Sequence, residues 1–193
     1  MKPVDLSEIL DLTAYEKARP EFLKKIIDLK TPRRISVGDR LTFIFENRET
    51  VIFQIQEMLR AERTVDDQQI QSEISIYNEL IPKKQELSAT LMIEIPSGEH
   101  IQSELNRLVG IDEHVILQID GDSLRAEFDS KQFEEEKISA VQYVRFNLGS
   151  KLCENFLDVS STVAIQIDHP NYKARTEIVG KSRASLSNDL LAP

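Results

Sequence analysis

Val51-Ile52-Phe53-Gln54-Ile55-Gln56-Glu57-Met58-Leu59-Arg60-Ala61-Glu62-Arg63 has the period of a helix and charge where a core-facing helix should have none. At 100° per residue, Val51, Ile52, Ile55, Met58 and Leu59 form one apolar arc. Glu62 falls inside that arc, and Arg63 sits at its edge beside Gln56. A carboxylate there is costly unless it is paired with an arginine, coordinated to a metal, or fraying into water at the helix end.

Working outward, the residues up to about 80 read as mainly helical. Thr13-Ala14-Tyr15-Glu16 has the pattern of a capping box, and Pro20 restarts a helix whose face is Phe22, Leu23, Ile26 and Ile27. Gly38-Asp39 between Ile35-Val37 and Leu41-Phe45 is a hairpin signal. Asp66 with Gln69 caps a further helix carried by Ile70, Ile74 and Tyr77, which Pro82 stops. From Leu87 the period changes. Leu87 to Ile95 is a strand, and a helix from Glu99 runs to Gly110. Val115-Ile119 and Leu124-Phe128 bracket a second hairpin at Asp120-Gly121-Asp122. Ile138 to Leu148 and Thr162 to Ile167 are two more strands around a short helix through Leu152 and Phe156, and Leu186, Leu190 and Leu191 mark a closing helix. The expectation is one α+β domain over 1–193, a mainly helical N-terminal half packed on a mixed or antiparallel sheet from the C-terminal half. Its only seam lies at 82–86.

Composition narrows the function classes. The net charge of −9 argues against a nucleic-acid binder, which must neutralise phosphates. From Lys17 to Arg40, however, eight basic residues face three acids, and the acidic run Glu134-Glu135-Glu136 lies far away in sequence. That basic stretch, with Lys24, Lys25, Lys30, Arg33 and Arg34, is a candidate dock for an acidic partner. Met1-Lys2-Pro3-Val4-Asp5 has no apolar run of a secretory signal, and no segment has the ~20 apolar residues of a membrane span. A cytoplasmic protein is expected. The one cysteine, Cys153, reads as a small buried residue between Leu152 and Phe156.

Glycine-rich phosphate loops, H-E-x-x-H, G-x-S-x-G and paired C-x-x-C are absent. The remaining candidates are scattered. Glu57 and Arg60 form an i,i+3 pair opposite the apolar arc, next to Phe53. Glu62 is either clasped by Arg63 or another arginine, or a raised-pKa acid or metal ligand, or frayed. Asp168-His169-Pro170-Asn171-Tyr172 ends a strand: Asp168 caps a turn, while His169 is a candidate ligand or general base. In Val141 to Phe146, alternation sends Tyr143 and Arg145 to one face, with Glu94 or Glu62 as conceivable partners of Arg145.

Phe53 to Arg63, Tyr77-Asn78-Glu79-Leu80-Ile81-Pro82, Ala89-Thr90-Leu91-Met92-Ile93-Glu94, Val141 to Phe146 and Ile167-Asp168-His169-Pro170-x-Tyr172 together resemble an uncharacterised bacterial family classed as a domain of unknown function. The family pattern has a histidine near position 142, where this chain has Gln142. The family resemblance implies genes near rubrerythrin-like proteins and iron–sulfur oxidoreductases, hence an accessory role in redox or oxidative-stress metabolism. With one cysteine the chain cannot itself hold a cysteine-ligated cluster. The leading expectation is a non-enzymatic accessory protein with an acidic or redox protein partner. The alternative is a metal-dependent or acid–base enzyme using Glu62 and His169.

Overall fold

The computed structural model describes residues 1–96, 100–129, 133–134 and 137–192. Leu12–Lys30 (α1) is one helix, capped by Asp11, whose carboxylate accepts from the Ala14 N–H at 2.9 Å. The cap therefore precedes Thr13, and Pro20 sits inside the helix without restarting it. Pro20 cannot bond the Glu16 carbonyl, but both residues are exposed, so water can serve that carbonyl. Ile27, expected on the buried face, is 63% exposed.

Arg34–Val37 (β1) and Leu41–Glu46 (β2) form the expected hairpin, with Gly38 at φ +72° in the turn. Then come Arg48–Glu62 (α2), Asp67–Asn78 (α3), Glu86–Ile93 (β3) and Ile101–Asn106 (α4). Val115–Ile119 (β4), Asp122–Arg125 (β5), Glu127–Phe128 (β6) and the ribbon Phe133–Glu134 (β7) with Lys137–Ile138 (β8) follow. The chain continues through Val141–Asn147 (β9), Gly149–Leu157 (α5), Val163–His169 (β10), Tyr172–Glu177 (β11) and Gly180–Leu191 (α6). Glu99, the expected start of α4, lies outside the described residues, as do Glu135 and Glu136 of the acidic run.

The class is α+β, and the sheets are antiparallel. They are two larger sheets rather than one, in the orders β1-β2-β3-β9-β6 and β11-β10-β4-β5. The N-terminal half contributes β1 and β2 to the first. Strand β11 had no apolar run to announce it, because its residues alternate between half-buried and exposed at a sheet edge.

Alternation builds the core. On the first sheet Phe43, Phe45, Leu87, Leu91, Val144 and Phe146 point inward, to meet Val115, Leu117, Ile119, Val163, Ile165 and Ile167 of the second. The opposite face of the first sheet carries Thr42, Glu46, Ser88, Thr90, Tyr143 and Arg145, and α2 and α3 cover it. A second, smaller apolar cluster of Val51, Ile55, Leu59, Ile74, Leu80 and Ile81 fills that layer. At one end of the sandwich α4 meets the β1–β2 turn through Arg40 and Glu104, 3.0 Å apart. At the other end α6 adds Leu186 and Leu190, and α5 adds Cys153 and Phe156.

Two side chains pin the corners. The Tyr172 hydroxyl donates to the Val37 carbonyl at 2.8 Å and accepts from the Arg40 N–H at 3.1 Å, tying β11 to the β1–β2 turn. A Cβ on Gly38 would run into that hydroxyl, and its positive φ already favours glycine. Arg33 is 1% exposed and gives N–H groups to the carbonyls of Phe45 (2.8 Å) and Glu46 (2.9 Å), to Ser185 and to Asp189. Burial pushes the Asp189 carboxyl up, against the pull of Arg33 and Asn47. Among the described residues no helix is long and apolar enough to cross a membrane.

Candidate functional site

Helix α1 lies against the face of α2 that the helical wheel assigned to charge. Glu57 there accepts from the Tyr15 hydroxyl at 2.8 Å and from two Arg19 N–H groups at 2.7 and 2.9 Å. Arg60 adds longer bonds at 3.3 and 3.4 Å, as the i,i+3 spacing predicts. The Arg19 guanidinium, with help from Tyr15 and Arg60, holds the Glu57 carboxyl at about 2. Burial, and donation to Glu57, push the Tyr15 phenol up. This carboxylate is committed to holding two helices together, and its strong ionisation suits no general acid at neutral pH.

Beside that clasp runs a groove of about 390 Å³ between α1 and α2. Phe22, Ile26 and Leu29 of α1 and Ile52 and Phe53 of α2 form its apolar floor. Lys25 stands on one rim, and the Lys30 ammonium lies 5.8 Å from the Phe53 ring centroid, whereas exposed Lys24 falls on the opposite face of α1. Glu8 and Glu49 stand on the other rim, and Glu8 is paired with Arg48 at 2.5 Å. Phe53 is therefore half-buried in the groove floor, with Lys30 of α1 over its ring. A larger groove, about 680 Å³ between loop 158–162 and α6, has Arg183 committed to the carbonyls of Phe156 and Asp158.

The other predicted residues are placed as follows. Glu62 is exposed, not inward-facing. It is the last residue of α2, and exposed Arg63 ends the helix in the left-handed region at φ 55°. Arg145 reaches neither Glu94 nor Glu62: it donates to the Glu79 carbonyl, and Glu94 is taken by Arg34 at 2.6 Å. Asp168 pairs with Lys173, its partner across the β10–β11 ladder, rather than capping a turn. His169 is buried. Its Nδ1 accepts from the Asn171 N–H at 3.2 Å, which assigns the proton to Nε2, and Nε2 donates to the Val109 carbonyl at 3.0 Å. Both ring nitrogens are thereby used, and the ring stands edge-on to His114 at 5.1 Å.

Glu62 belongs to the helical layer and His169 to the second sheet, with the first sheet between them. Among the described residues no three His, Cys, Asp or Glu side chains gather as a metal site. Within the basic segment, Lys24 and Lys25 are exposed and Lys30 is half-buried. Arg33 is no docking residue, because it is sealed inside the fold, and Arg34 spends its charge on Glu94. Burial pushes the Cys153 thiol up, which fits the expected packing role.

Several polar residues had no local signal. Glu46, 2% exposed, accepts from the Thr50 hydroxyl at 2.5 Å and the Thr90 hydroxyl at 2.6 Å. Its place on a strand face under a helix needs the tertiary fold to be seen. Gln142 is buried in the sheet core, where Nε2 donates to the Ser139 carbonyl at 2.8 Å and Oε1 has no partner among the described residues.

A family model described as a protein of unknown function (DUF3501) matches residues 3–190. The chain belongs to the DUF3501 family. A crystal structure described as a novel protein of unknown function from Burkholderia pseudomallei K96243 is similar to this DUF3501 protein along its length. The two are 34% identical with a TM-score of 0.90, over 98% of this chain and 100% of that one. No curated protein matches the chain.

Proposed function

We propose that this DUF3501 protein is a non-enzymatic accessory protein that docks an acidic protein partner on the α1–α2 groove. One observation carries the reading: an apolar floor at Phe22, Ile26 and Phe53 lies beside Lys25 and Lys30. An apolar side chain of the partner would supply burial, and carboxylates around it would meet the lysine rim. The family resemblance makes an acidic redox protein of the rubrerythrin type the first partner to test. A single buried cysteine and an acidic composition suit the cytoplasm. The enzyme alternative has less support, since Glu62 faces solvent and His169 has both nitrogens engaged.

The test is direct binding of a purified rubrerythrin-type protein, followed by surface-immobilised interferometry. Affinity is expected to fall about tenfold or more between low and moderate salt, as screening shortens the reach of the lysines. Lys25→Glu with Lys30→Glu should weaken it about as much, and Phe53→Ala should speed dissociation. Binding that ignores salt, the lysine reversals and Phe53→Ala alike would remove this groove as the dock.

A further inference from the structure

The segment Pro3 to Leu10 crosses the helical layer as an extended strap with one 3-10 turn at Leu6–Glu8. Two amide side chains hold its backbone in the same way. Asn78 accepts from the Val4 N–H at 2.8 Å and donates to the Val4 carbonyl at 3.0 Å. Gln56, 1% exposed, accepts from the Leu10 N–H at 2.9 Å and donates to the Leu10 carbonyl at 3.1 Å. Each amide thus pairs with a residue of the strap as a neighbouring strand would. Such bonds read backbone, not side chains. Selectivity comes from Val4, which is buried, and from Leu6 and Ile9, which pack on the same cluster of α2 and α3.

Among the described residues, the strap's hydrogen bonds to the rest of the chain go to α2 or α3, through Gln56, Asn78 and Arg48. None goes to α1, the element that carries it. Ile9 and Asp11 on either side of Leu10 are both extended, so the strap joins α1 through a short corner. The cleft therefore treats the strap as a bound peptide whose tether is incidental to its recognition.

We propose that the α2–α3 cleft is a backbone-reading peptide groove, filled in cis by residues 3–10 and open to exchange with the same segment of a second copy. The occupant is set by complementarity already present: a second copy offers the same apolar positions to the same two amides. A reciprocal exchange remakes the bonds to Gln56, Asn78 and Arg48 in the other copy, while the corner at Leu10–Asp11 and the effective concentration of the tethered strap, in the millimolar range for short tethers, favour the cis form. The strap also supplies Glu8 to one rim of the α1–α2 groove, but the inference rests on Gln56, Asn78 and Val4, which lie outside that groove.

Two full-length variants test it by trapping. Glu8→Cys places a thiol on the strap, and Arg48→Cys places one on the groove where Glu8 and Arg48 now meet at 2.5 Å. Mixed in oxidised glutathione, these two chains can join positions 8 and 48 only between copies. A covalent dimer carrying that link is expected to form at least tenfold faster than one between Glu8→Cys and the exposed control Lys24→Cys. Equal rates, or dimers joined only at matching positions, overturn the exchange. A labelled synthetic peptide of residues 1–11 gives the second measurement, read by fluorescence anisotropy. It should bind a Val4→Asp chain, or the milder Glu8→Lys chain, at least tenfold tighter than the unmodified chain, and adding Gln56→Ala should remove the gain. Equal binding by the loosened and unmodified chains, or a gain that survives Gln56→Ala, overturns the groove.

Discussion

The five-stranded sheet turns two different faces to its neighbours. Toward the second sheet it offers Phe43, Phe45, Leu87, Leu91, Val144 and Phe146; toward the helices it offers Thr42, Glu46, Ser88, Thr90, Tyr143 and Arg145. The first contact is stabilised by area removed from water. The second combines a small apolar cluster with directed bonds: Glu46 to Thr50 and Thr90, Glu57 to Tyr15 and Arg19, Gln56 and Asn78 to the strap. A layer attached by fewer apolar contacts and more individual bonds can loosen locally without melting the sandwich. Both the proposed dock and the strap groove lie in that layer.

This contrast can be broken or sharpened by four substitutions. Phe146→Ala should cost about 3–5 kcal/mol in urea denaturation, since it empties a fully buried aromatic site between the sheets. A loss below about 1 kcal/mol would mean that the sheet-to-sheet core is not the main source of stability. Gly38→Ala should cost about 2 kcal/mol or more, combining a left-handed φ with displacement of the Tyr172 hydroxyl. Its cost should shrink in a Tyr172→Phe background, a coupling that a double-mutant cycle measures.

In the helical layer, Glu57→Gln should cost about 1–2 kcal/mol, because Arg19 loses a charged acceptor. Its pH dependence has a definite sign. Glu57 is held at about 2 against an ordinary 4.5, so its stabilisation is complete above about 4.5 and is lost as pH falls toward 2. The acid limb of the stability curve should be shallower in Glu57→Gln; an unchanged limb would locate the acid sensitivity elsewhere. Glu62→Gln should move stability by no more than about 0.5 kcal/mol, as expected for an exposed helix end.

Periodicity revealed most elements, because burial on one face imprints itself on neighbouring residues. It failed where burial is decided by something else. A helical wheel locates Glu62 by angle, but not by depth along the axis, and α2 stops at that residue. Charge runs treat arginines as surface groups, yet Arg33 is enclosed by carbonyls and a carboxylate supplied from residues 45, 46 and 189. Strand β11 was missed because a sheet edge with one exposed face needs little apolar sequence. Of the candidate site, the lysines and the Glu57–Arg60 spacing were legible; the Tyr15 and Arg19 partners came from another helix and were not.

Arg33 also imposes an order on biosynthesis. The ribosome makes this guanidinium 156 positions before the carboxylate that answers it. Until α6 has emerged, a chain that has already paired β1 with β2 carries a cation whose counter-charge does not yet exist. Burying it is unfavourable in that interval. The hairpin should therefore stay open to chaperones through most of translation and close as one of the last events, when Asp189 arrives.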